Sequence, residues 1–221
     1  MYTGGMEFGE IKDKYKNILR RKSWFHGTSL ANLQSFVSNG PLVEHNIGNE
    51  LDFGYGFYLA PDLRMAERYS KRMIEFMEQT PQFSYTEEDL TPVVIEFEFP
   101  ESSPSIFFED HKFRTTCFPS FDEDFANFIL SNRMSPCERV HDYDLIFGVM
   151  SDSNPNKLVP QVKSGYISSD DFVQEILKNT TSTRQLSIHN QLICATLVIR
   201  NIHYVKEGVV KHVEHIGHGQ Q

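Results

Sequence analysis

The stretch that decides the fold is Leu51-Asp-Phe-Gly-Tyr-Gly-Phe-Tyr-Leu-Ala-Pro-Asp-Leu-Arg-Met-Ala-Glu-Arg-Tyr-Ser70. It predicts a turn, a short strand, a second turn and a helix. The two glycines of Gly54-Tyr-Gly56 allow backbone conformations, and a close approach to the backbone, that a residue with a Cβ permits only at a cost. Phe57-Tyr-Leu59 has the composition of a short buried strand. Pro61-Asp62 ends that strand and supplies the start signal of a helix.

A second aromatic segment, Trp24-Phe-His-Gly-Thr-Ser29, lies upstream. A short strand ending in His-Gly, then a hydroxyl pair, then a glycine-punctuated aromatic strand resembles the NAD-binding core of His-Tyr-Glu ADP-ribosyltransferases. That group includes the diphtheria-toxin-like toxins and the poly(ADP-ribose) polymerases. The resemblance runs residue by residue across Gly54-Tyr-Gly-Phe-Tyr-Leu-Ala60, and it extends to Tyr69, eleven residues after Tyr58.

The sequence is similar over a longer span to a related bacterial family, the domain of unknown function DUF3990. Five elements typical of that family occur here in the same order, which makes the match more specific than any single motif. They are His26-Gly-Thr28, Asp52 to Tyr58, Asn132-Arg133, Tyr143-Asp-Leu-Ile-Phe-Gly148 and Gln185-Leu-Ser-Ile-His189. The match covers the chain from Ser23 to Val198.

The resemblance implies an α+β fold with split, twisted antiparallel or mixed sheets and peripheral helices around an NAD cleft. The strands that carry His26 and Gly54 to Leu59 are expected side by side at that cleft. A chain of 221 residues favours one well-buried domain over two. We expect a lead-in helix or arm over residues 1–22, an ADP-ribosyltransferase-like domain over 23–205 and a flexible tail over 206–221.

Hydrophobic periodicity and end signals predict the elements of this domain. The predicted helices are Leu30 to Val37, Leu63 to Met77, Asp122 to about Arg133 and Asp170 to Lys178. The predicted strands are Trp24-Phe25, Pro92 to Phe99, Tyr143 to Met150, Gln185 to His189, and Ile193 to Ile199 with a continuation through Tyr204-Val205. The stretch from Pro100 to Pro119 is irregular in composition, with Pro, Ser and Phe throughout, and its conformation is left open.

The resemblance implies NAD as a co-substrate and no metal ion. His26 would bind the adenosine-side ribose, and Gly27 would offer its backbone to the carboxamide. Tyr58 and Tyr69 would sandwich the nicotinamide, since aromatic faces attract a cationic ring. Each of these residue types, taken alone, is more often a packing or turn residue, so only their joint spacing favours a site.

Three further residues complete the implied NAD-binding set. Thr28 and Gly56 belong to the same two motifs, and Arg133 could bind the pyrophosphate through charge-assisted hydrogen bonds. Asp52 is a secondary candidate. For Arg133 and Asp52, a solvated or strand-bracing role explains the sequence equally well.

The implied catalytic residues are His26, Tyr58 and Gln185. Related enzymes have Glu at the head of the late strand, whereas this strand begins with Gln185, and no acidic residue lies between Asn179 and Arg200. An amide can orient a ribose hydroxyl but brings no negative charge to the developing cation. This favours a single transfer over polymer growth. Gln185→Ala should lower kcat with little change in KM, and Gln185→Glu should keep or raise NAD cleavage.

Composition excludes some classes of protein. A net charge of −9 argues against bulk electrostatic coating of nucleic acid. The three cysteines, Cys117, Cys137 and Cys194, form no CxxC pair and favour a reducing, cytoplasmic compartment. No apolar run is long enough to span a membrane. His212, His215 and His218 recur every third residue, but a tail rarely supplies the supporting shell that a metal site needs.

The expected activity is NAD-dependent mono-ADP-ribosylation of a protein or nucleic acid, in a toxin or defence effector of the toxin–antitoxin or phage-defence kind. An antitoxin or chaperone partner would be compatible with that role. An NAD glycohydrolase is the alternative enzyme. The alternative from another class is a degenerate module that binds NAD or an ADP-ribosylated partner without chemistry. The sequence does not identify the acceptor.

Overall fold

A computed structural model describes residues 17–45, 51–80, 84–103, 113–151, 154–206 and 209–212. Its strands are β1 (Trp24–Ser29), β2 (Phe57–Leu59), β3 (Pro92–Glu98), β4 (Thr115–Phe118), β5 (Leu145–Val149), β6 (Arg184–Ile188), β7 (Val198–Lys206) and β8 (Val209–His212). Its helices are α1 (Leu30–Asn39), α2 (Leu63–Glu78), α3 (Glu123–Met134), α4 (Asn154–Lys163), α5 (Ser169–Leu177) and α6 (Gln191–Cys194), with a 3-10 turn at Val43–His45.

The strands form two four-stranded sheets, with orders β1-β3-β7-β8 and β2-β6-β5-β4. The first sheet is antiparallel. The second is mixed, because β4 runs parallel to β5 whereas β5 runs antiparallel to β6. The expected α+β class, with antiparallel and mixed sheets, is confirmed.

The region expected to be one domain divides into two compact units, each assembled from separated stretches of chain. We call them the β1 unit and the β6 unit. The β1 unit contains Arg20–Pro41, Leu59–Glu101 and the chain from Ala195 onward. The β6 unit contains Leu42–Tyr58 and Ser102–Cys194, together with the N-terminal residues up to Leu19.

The core of the β1 unit lies on the first sheet, where Trp24, Phe97 and the run Val93–Ile95 are buried. Helix α2 follows the predicted bounds closely. Asp62 caps it by accepting a hydrogen bond from the Met65 amide at 3.1 Å. The buried residues Met65, Ala66, Ser70 and Met77 are those of α2 that pack inward.

The core of the β6 unit is an aromatic and aliphatic cluster that includes Phe53, Phe125, Ile129, Ile146 and Phe172. Two predicted helices contribute to it, and each begins within one residue of its predicted start. Asp122 accepts from the Phe125 amide ahead of α3. Ser168 and Asp171 form a reciprocal capping box ahead of α5.

Several local elements differ from the predictions or were not predicted. The stretch Pro100 to Pro119, whose conformation the sequence leaves open, contains β4, which pairs in parallel with β5. Helix α4 was not predicted. The predicted strand from Ile193 is instead the short helix α6, and β7 begins only at Val198.

Three further regions bear on the expected domain plan. β8, which lies in the predicted flexible tail, pairs with β7. Residues 1–16 of the predicted arm and 213–221 of the tail, with His215 and His218, fall outside the described residues. β1 and β2 belong to different sheets. Within the β1 unit, Phe25 of β1 forms an antiparallel bridge with Ala60, the residue that follows β2.

In the part of the chain that the structure describes, no helix is both long enough and apolar enough to cross a bilayer.

Candidate functional site

Asp52 lies at the centre of a buried polar cluster in the β6 unit, and only 3% of its surface is exposed. Its Oδ1 accepts from Arg133 Nη2 at 2.7 Å and from the Ser151 hydroxyl. Its Oδ2 accepts from the Ser151 amide at 2.9 Å and from Gln185 Nε2 at 3.0 Å. The cluster therefore joins residues from the glycine-bearing turn, from α3, from the end of β5 and from β6.

Arg133 is as deeply buried as Asp52. Besides the ion pair, its Nη1 donates to Asn156 in α4, and its Nη2 reaches the Ser151 hydroxyl at 3.4 Å. A buried guanidinium that is paired in this way holds its neighbours in place, and removing either partner would leave an uncompensated charge. The geometry favours the bracing interpretation of Arg133 and Asp52 over a pyrophosphate contact.

Gln185 is also buried, with 6% of its surface exposed. It lies near the start of β6, where it is paired in register with Gly148 of β5. Gly148 packs tightly, because a Cβ there would lie 3.0 Å from both Phe118 and the ring of Phe53. The strand that carries Gln185 is thus fixed against the aromatic core.

The turn that follows Asp52 is held at three successive peptide groups. Each carbonyl oxygen of Phe53–Tyr55 accepts a hydrogen bond from a side chain. The donors are His141 Nε2 for Phe53 at 2.8 Å, the Tyr58 hydroxyl for Gly54 at 2.7 Å and His189 Nδ1 for Tyr55 at 2.8 Å. Loop carbonyls usually bond to water, so three side-chain donors indicate a turn of fixed shape.

His141 and His189 are both neutral donors to this turn. The Tyr143 amide donates to His141 Nδ1 at 3.1 Å, and the Ser187 hydroxyl donates to His189 Nε2 at 2.8 Å, so the proton of each ring lies on the nitrogen that faces the turn. Burial, followed by the charge that His141 would carry, lowers the pKa of His189 to about 3. Burial also lowers the pKa of His141. The rings meet edge to face at 4.6 Å.

Both glycines of the turn are required by their surroundings. Gly54 has φ of +78°, and a Cβ there would lie 2.7 Å from Asn132 Oδ1. A Cβ at Gly56 would lie 2.7 Å from His189 Nδ1 and 3.0 Å from the Ile188 carbonyl oxygen. The pattern Gly-x-Gly therefore reflects the close approach of α3 and of the end of β6 to this turn.

Tyr58 takes part in the same arrangement. Its hydroxyl accepts from the Phe53 amide at 3.0 Å while donating to Gly54. Its half-buried ring lies nearly parallel to Phe53, with centroids 6.4 Å apart, and meets His189 edge to face. The hydroxyl thus braces the turn.

The remaining predicted site residues belong to the β1 unit. His26, Gly27 and Thr28 lie consecutively on β1, opposite Ile95, Val94 and Val93 of β3. His26 is mostly buried, with its ring 5.2 Å from that of Phe36, and Thr28 is buried. Tyr69 lies on α2 and exposes 40% of its surface.

Gly27 marks the contact between β1 and α2. A Cβ there would lie only 2.1 Å from the Ala66 carbonyl oxygen and 2.8 Å from the Ser70 amide nitrogen. Tyr69 belongs to this same turn of α2, so the structure brings two of the predicted residues together within the β1 unit.

A profile of the family described as "Protein of unknown function (DUF3990)" matches residues 36–198. The chain belongs to the DUF3990 family. The matched range contains four of the five motifs, namely those at residues 52–58, 132–133, 143–148 and 185–189, whereas His26-Gly-Thr28 precedes it. No curated protein matches this DUF3990 chain.

In this DUF3990 protein, Gln185, Arg133 and the turn with Gly56 and Tyr58 are brought together within the β6 unit. The sequence did not point to Ser151, Asn156 or His141, nor to the contact of His189 with Gly56. His189 ends the last quoted motif and His141 stands two residues before the Tyr143 motif, so proximity to these motifs was the available signal. Within the described ranges, no three His, Cys, Asp or Glu residues are grouped as metal ligands.

Proposed function

We propose that this DUF3990 protein is an NAD-dependent mono-ADP-ribosyltransferase. In the proposed reaction the bond between the nicotinamide nitrogen and ribose C1′ breaks, and the electron pair leaves with nicotinamide. A nucleophilic atom of a protein or nucleic acid forms the new bond to C1′ and releases its proton. The chain's task is to hold NAD, orient the ribose and stabilise the developing positive charge.

The observation that supports the proposal is the ordered set of motifs. Within the β6 unit, a side-chain hydrogen bond joins the first of these motifs to the last. Asp52 begins the glycine-bearing motif and Gln185 begins the late strand, and their side chains meet at 3.0 Å. The motif residues of this unit thus form one cluster, although 133 positions separate these two in sequence. Residues that act on one substrate have to be gathered in this way.

The residues present fit the chemistry of NAD. Tyr69 exposes enough of its ring to contact a ligand, and the ring of Tyr58 is fixed through its hydroxyl. Aromatic faces suit the cationic nicotinamide ring. His26 and Thr28 would contact the adenosine-side ribose and Gly27 the carboxamide, as in the enzymes that the sequence resembles. The proposal gives Arg133 a bracing role.

Two other functions are compatible with the same residues. In an NAD glycohydrolase, water takes the place of the macromolecular acceptor. In a binding module without chemistry, NAD or an ADP-ribosylated partner would be bound, and the neutral amide of Gln185 is the feature that favours this reading. The role as a toxin or defence effector, with an antitoxin or chaperone as partner, rests on family analogy and follows only if transfer occurs.

The test is incubation of the purified protein with NAD labelled in its adenylate part, in a cell extract. We expect nicotinamide release together with label in macromolecules, and separate protease and nuclease digestion then identifies the class of acceptor. The same incubation with Gln185→Ala is the matched control. Nicotinamide release without labelled macromolecule would favour the glycohydrolase, and NAD binding without release would favour the binding module. Absence of NAD binding would reject the transferase and the glycohydrolase, and would leave only a module that binds an ADP-ribosylated partner.

A further inference from the structure

We infer that Asp52 is a positioning residue for Gln185: it binds the amide NH₂ and so turns the carbonyl Oε1 toward the substrate. This inference rests on the proposed function for what Oε1 does. The pairing itself follows from the geometry of the β6 unit alone.

The direction of the Gln185 amide is determined by the chemistry of its partner. An ionised carboxylate only accepts hydrogen bonds, whereas a glutamine side chain ends in one donor group and one acceptor. The atom that lies 3.0 Å from Asp52 Oδ2 must therefore be Nε2. The carbonyl oxygen Oε1 of Gln185 is the other atom of the amide group, so it is directed away from the Asp52 carboxylate.

Asp52 itself cannot turn to accommodate a flipped amide. Arg133 and the Ser151 hydroxyl hold Oδ1, and the Ser151 amide holds Oδ2. A flip of Gln185 would bring Oε1 against Oδ2, placing two acceptors in contact where burial excludes water. A buried acceptor without a donor is destabilising, so the amide is restricted to one orientation.

An oriented carbonyl oxygen can do part of what a glutamate oxygen does in related enzymes. It accepts a hydrogen bond from a ribose hydroxyl and points the negative end of the amide dipole at the developing cation. Asp52 lies one hydrogen bond behind Gln185, and its own charge is paired with Arg133. Gln185 would then act on the ribose, and Asp52 would hold the Gln185 amide in place.

The pairing also changes the expectation for Gln185→Glu. The introduced carboxyl group would lie against Asp52, and two carboxylates at this separation do not ionise together easily. Asp52 should therefore raise the pKa of the introduced group. A carboxylate at this position would not simply restore activity, contrary to what the sequence alone suggested.

The first experiment measures folding stability against pH, without NAD, for the full chain. An ordinary Glu ionises near pH 4.3. A folded-state pKa above that value gives stability that is present at low pH and lost as pH rises toward the folded-state pKa. We expect the melting temperature of Gln185→Glu to fall relative to that of wild type as the pH rises from about 4.5 to about 7.5. The control Gln174→Glu, on the exposed side of α5, should follow wild type.

The double variant Asp52→Asn with Gln185→Glu exchanges the amide and the carboxylate. At neutral pH it should be more stable than the two single-variant losses added together predict, because the carboxylate at position 185 then faces an amide donor instead of a second carboxylate. Such non-additivity is expected of contacting residues. Additive effects, or a Gln185→Glu variant with the pH dependence of wild type, would overturn the pairing. If Asp52→Asn alone fails to fold, the pH dependence of Gln185→Glu still decides the pairing.

The second experiment measures nicotinamide release. Gln185→Met keeps the length of the side chain but has no oriented carbonyl, and we expect kcat to fall about tenfold or more with KM nearly unchanged. Unchanged kcat would overturn the role of Oε1. If wild type itself releases no nicotinamide while the stability cycle shows coupling, the proposed function fails and the pairing stands, so the two failures are distinguishable.

Discussion

At the scale of single residues, Tyr58 combines two properties that a substitution can separate. Its hydroxyl bonds to the backbone of Phe53 and Gly54, whereas its ring is the part expected to contact nicotinamide. Tyr69, on α2 of the β1 unit, exposes 40% of its surface. Loss of the ring should therefore weaken NAD binding at either position, whereas loss of the Tyr58 hydroxyl should chiefly affect the stability of the turn.

We expect Tyr58→Ala and Tyr69→Ala each to weaken NAD binding by roughly 1 to 3 kcal/mol, the scale of lost aromatic packing and a cation–π contact. Calorimetric titration with NAD measures this. Tyr58→Phe should bind NAD nearly as wild type but unfold more easily, by about 1 to 3 kcal/mol, because the Gly54 carbonyl loses its donor. Tyr166→Phe, at an 81% exposed tyrosine of the same unit, is the matched control and should change neither quantity. Wild-type affinity in both alanine variants would contradict the nicotinamide sandwich.

At the scale of elements, the turn after Asp52 depends on two neutral histidines. The folded-state pKa of His189 is about 3, below the value near 6.5 of an exposed histidine. The unfolded chain therefore binds more protons than the folded chain between these values. The stabilisation by His189 is complete above about pH 6.5 and is lost as pH falls.

We expect the free energy of unfolding to decrease by about 1.4 kcal/mol per pH unit for this histidine below pH 6.5. His141 adds to the decrease in the same direction. Urea unfolding at several pH values between 7.5 and 5 measures the slope, in a range where most carboxylates stay ionised. His189→Asn keeps a donor for the Tyr55 carbonyl but cannot titrate, so its slope should be shallower. Equal slopes in the two proteins would contradict the assignment.

The glycines of the turn can be tested against a glycine elsewhere in the same unit. Gly54 and Gly165 have similar φ of +78° and +73°, but only Gly54 has a neighbour within 4 Å of an added Cβ. Gly165→Ala should cost about 1 to 2 kcal/mol of stability from backbone strain alone. Gly54→Ala should cost about 1 to 3 kcal/mol more, because the Cβ would overlap Asn132. Thermal unfolding measures both, and equal losses would show that Asn132 yields without cost.

At the scale of the whole molecule, the helix starts were predictable because their signals are local. Asp62, Asp122 and Ser168 each accept a hydrogen bond from the backbone amide three residues later. Such caps can be read from a few neighbouring residues, and they place the starts of α2, α3 and α5 within one residue.

Elements that depend on distant partners were not predictable in this way. β4 is a strand because it pairs in parallel with β5, and the sequence of Thr115–Phe118 contains no signal that predicts this pairing. Helix α4 contains Pro155 near its start, where a missing amide is no loss, and Pro160 inside it, which is unfavourable. A pattern with two prolines does not predict a helix, and packing against α3 and α5 overrides it.

In the candidate site, too, local motifs were recognisable from the sequence, whereas contacts between distant residues were not. The motifs gave Asp52, Arg133 and Gln185 as residues of interest, but spacing could not reveal that the first binds the other two. From the sequence, a ligand contact and a bracing role explained Arg133 equally well, and Gln185 looked like an isolated replacement for glutamate. Partner choice among distant polar residues is a property of the folded β6 unit.

The alternation of the chain between the two units has a consequence for synthesis on the ribosome. β3 takes β1 and β7 as its neighbours, and every element from β4 to α6 lies between β3 and β7 along the chain. Domains usually fold in the order in which they emerge. Here the nascent chain carries an unfinished first sheet, with one edge of β3 unpaired, while the second sheet is completed. Any activity that requires both units can begin only after β7 has left the ribosome.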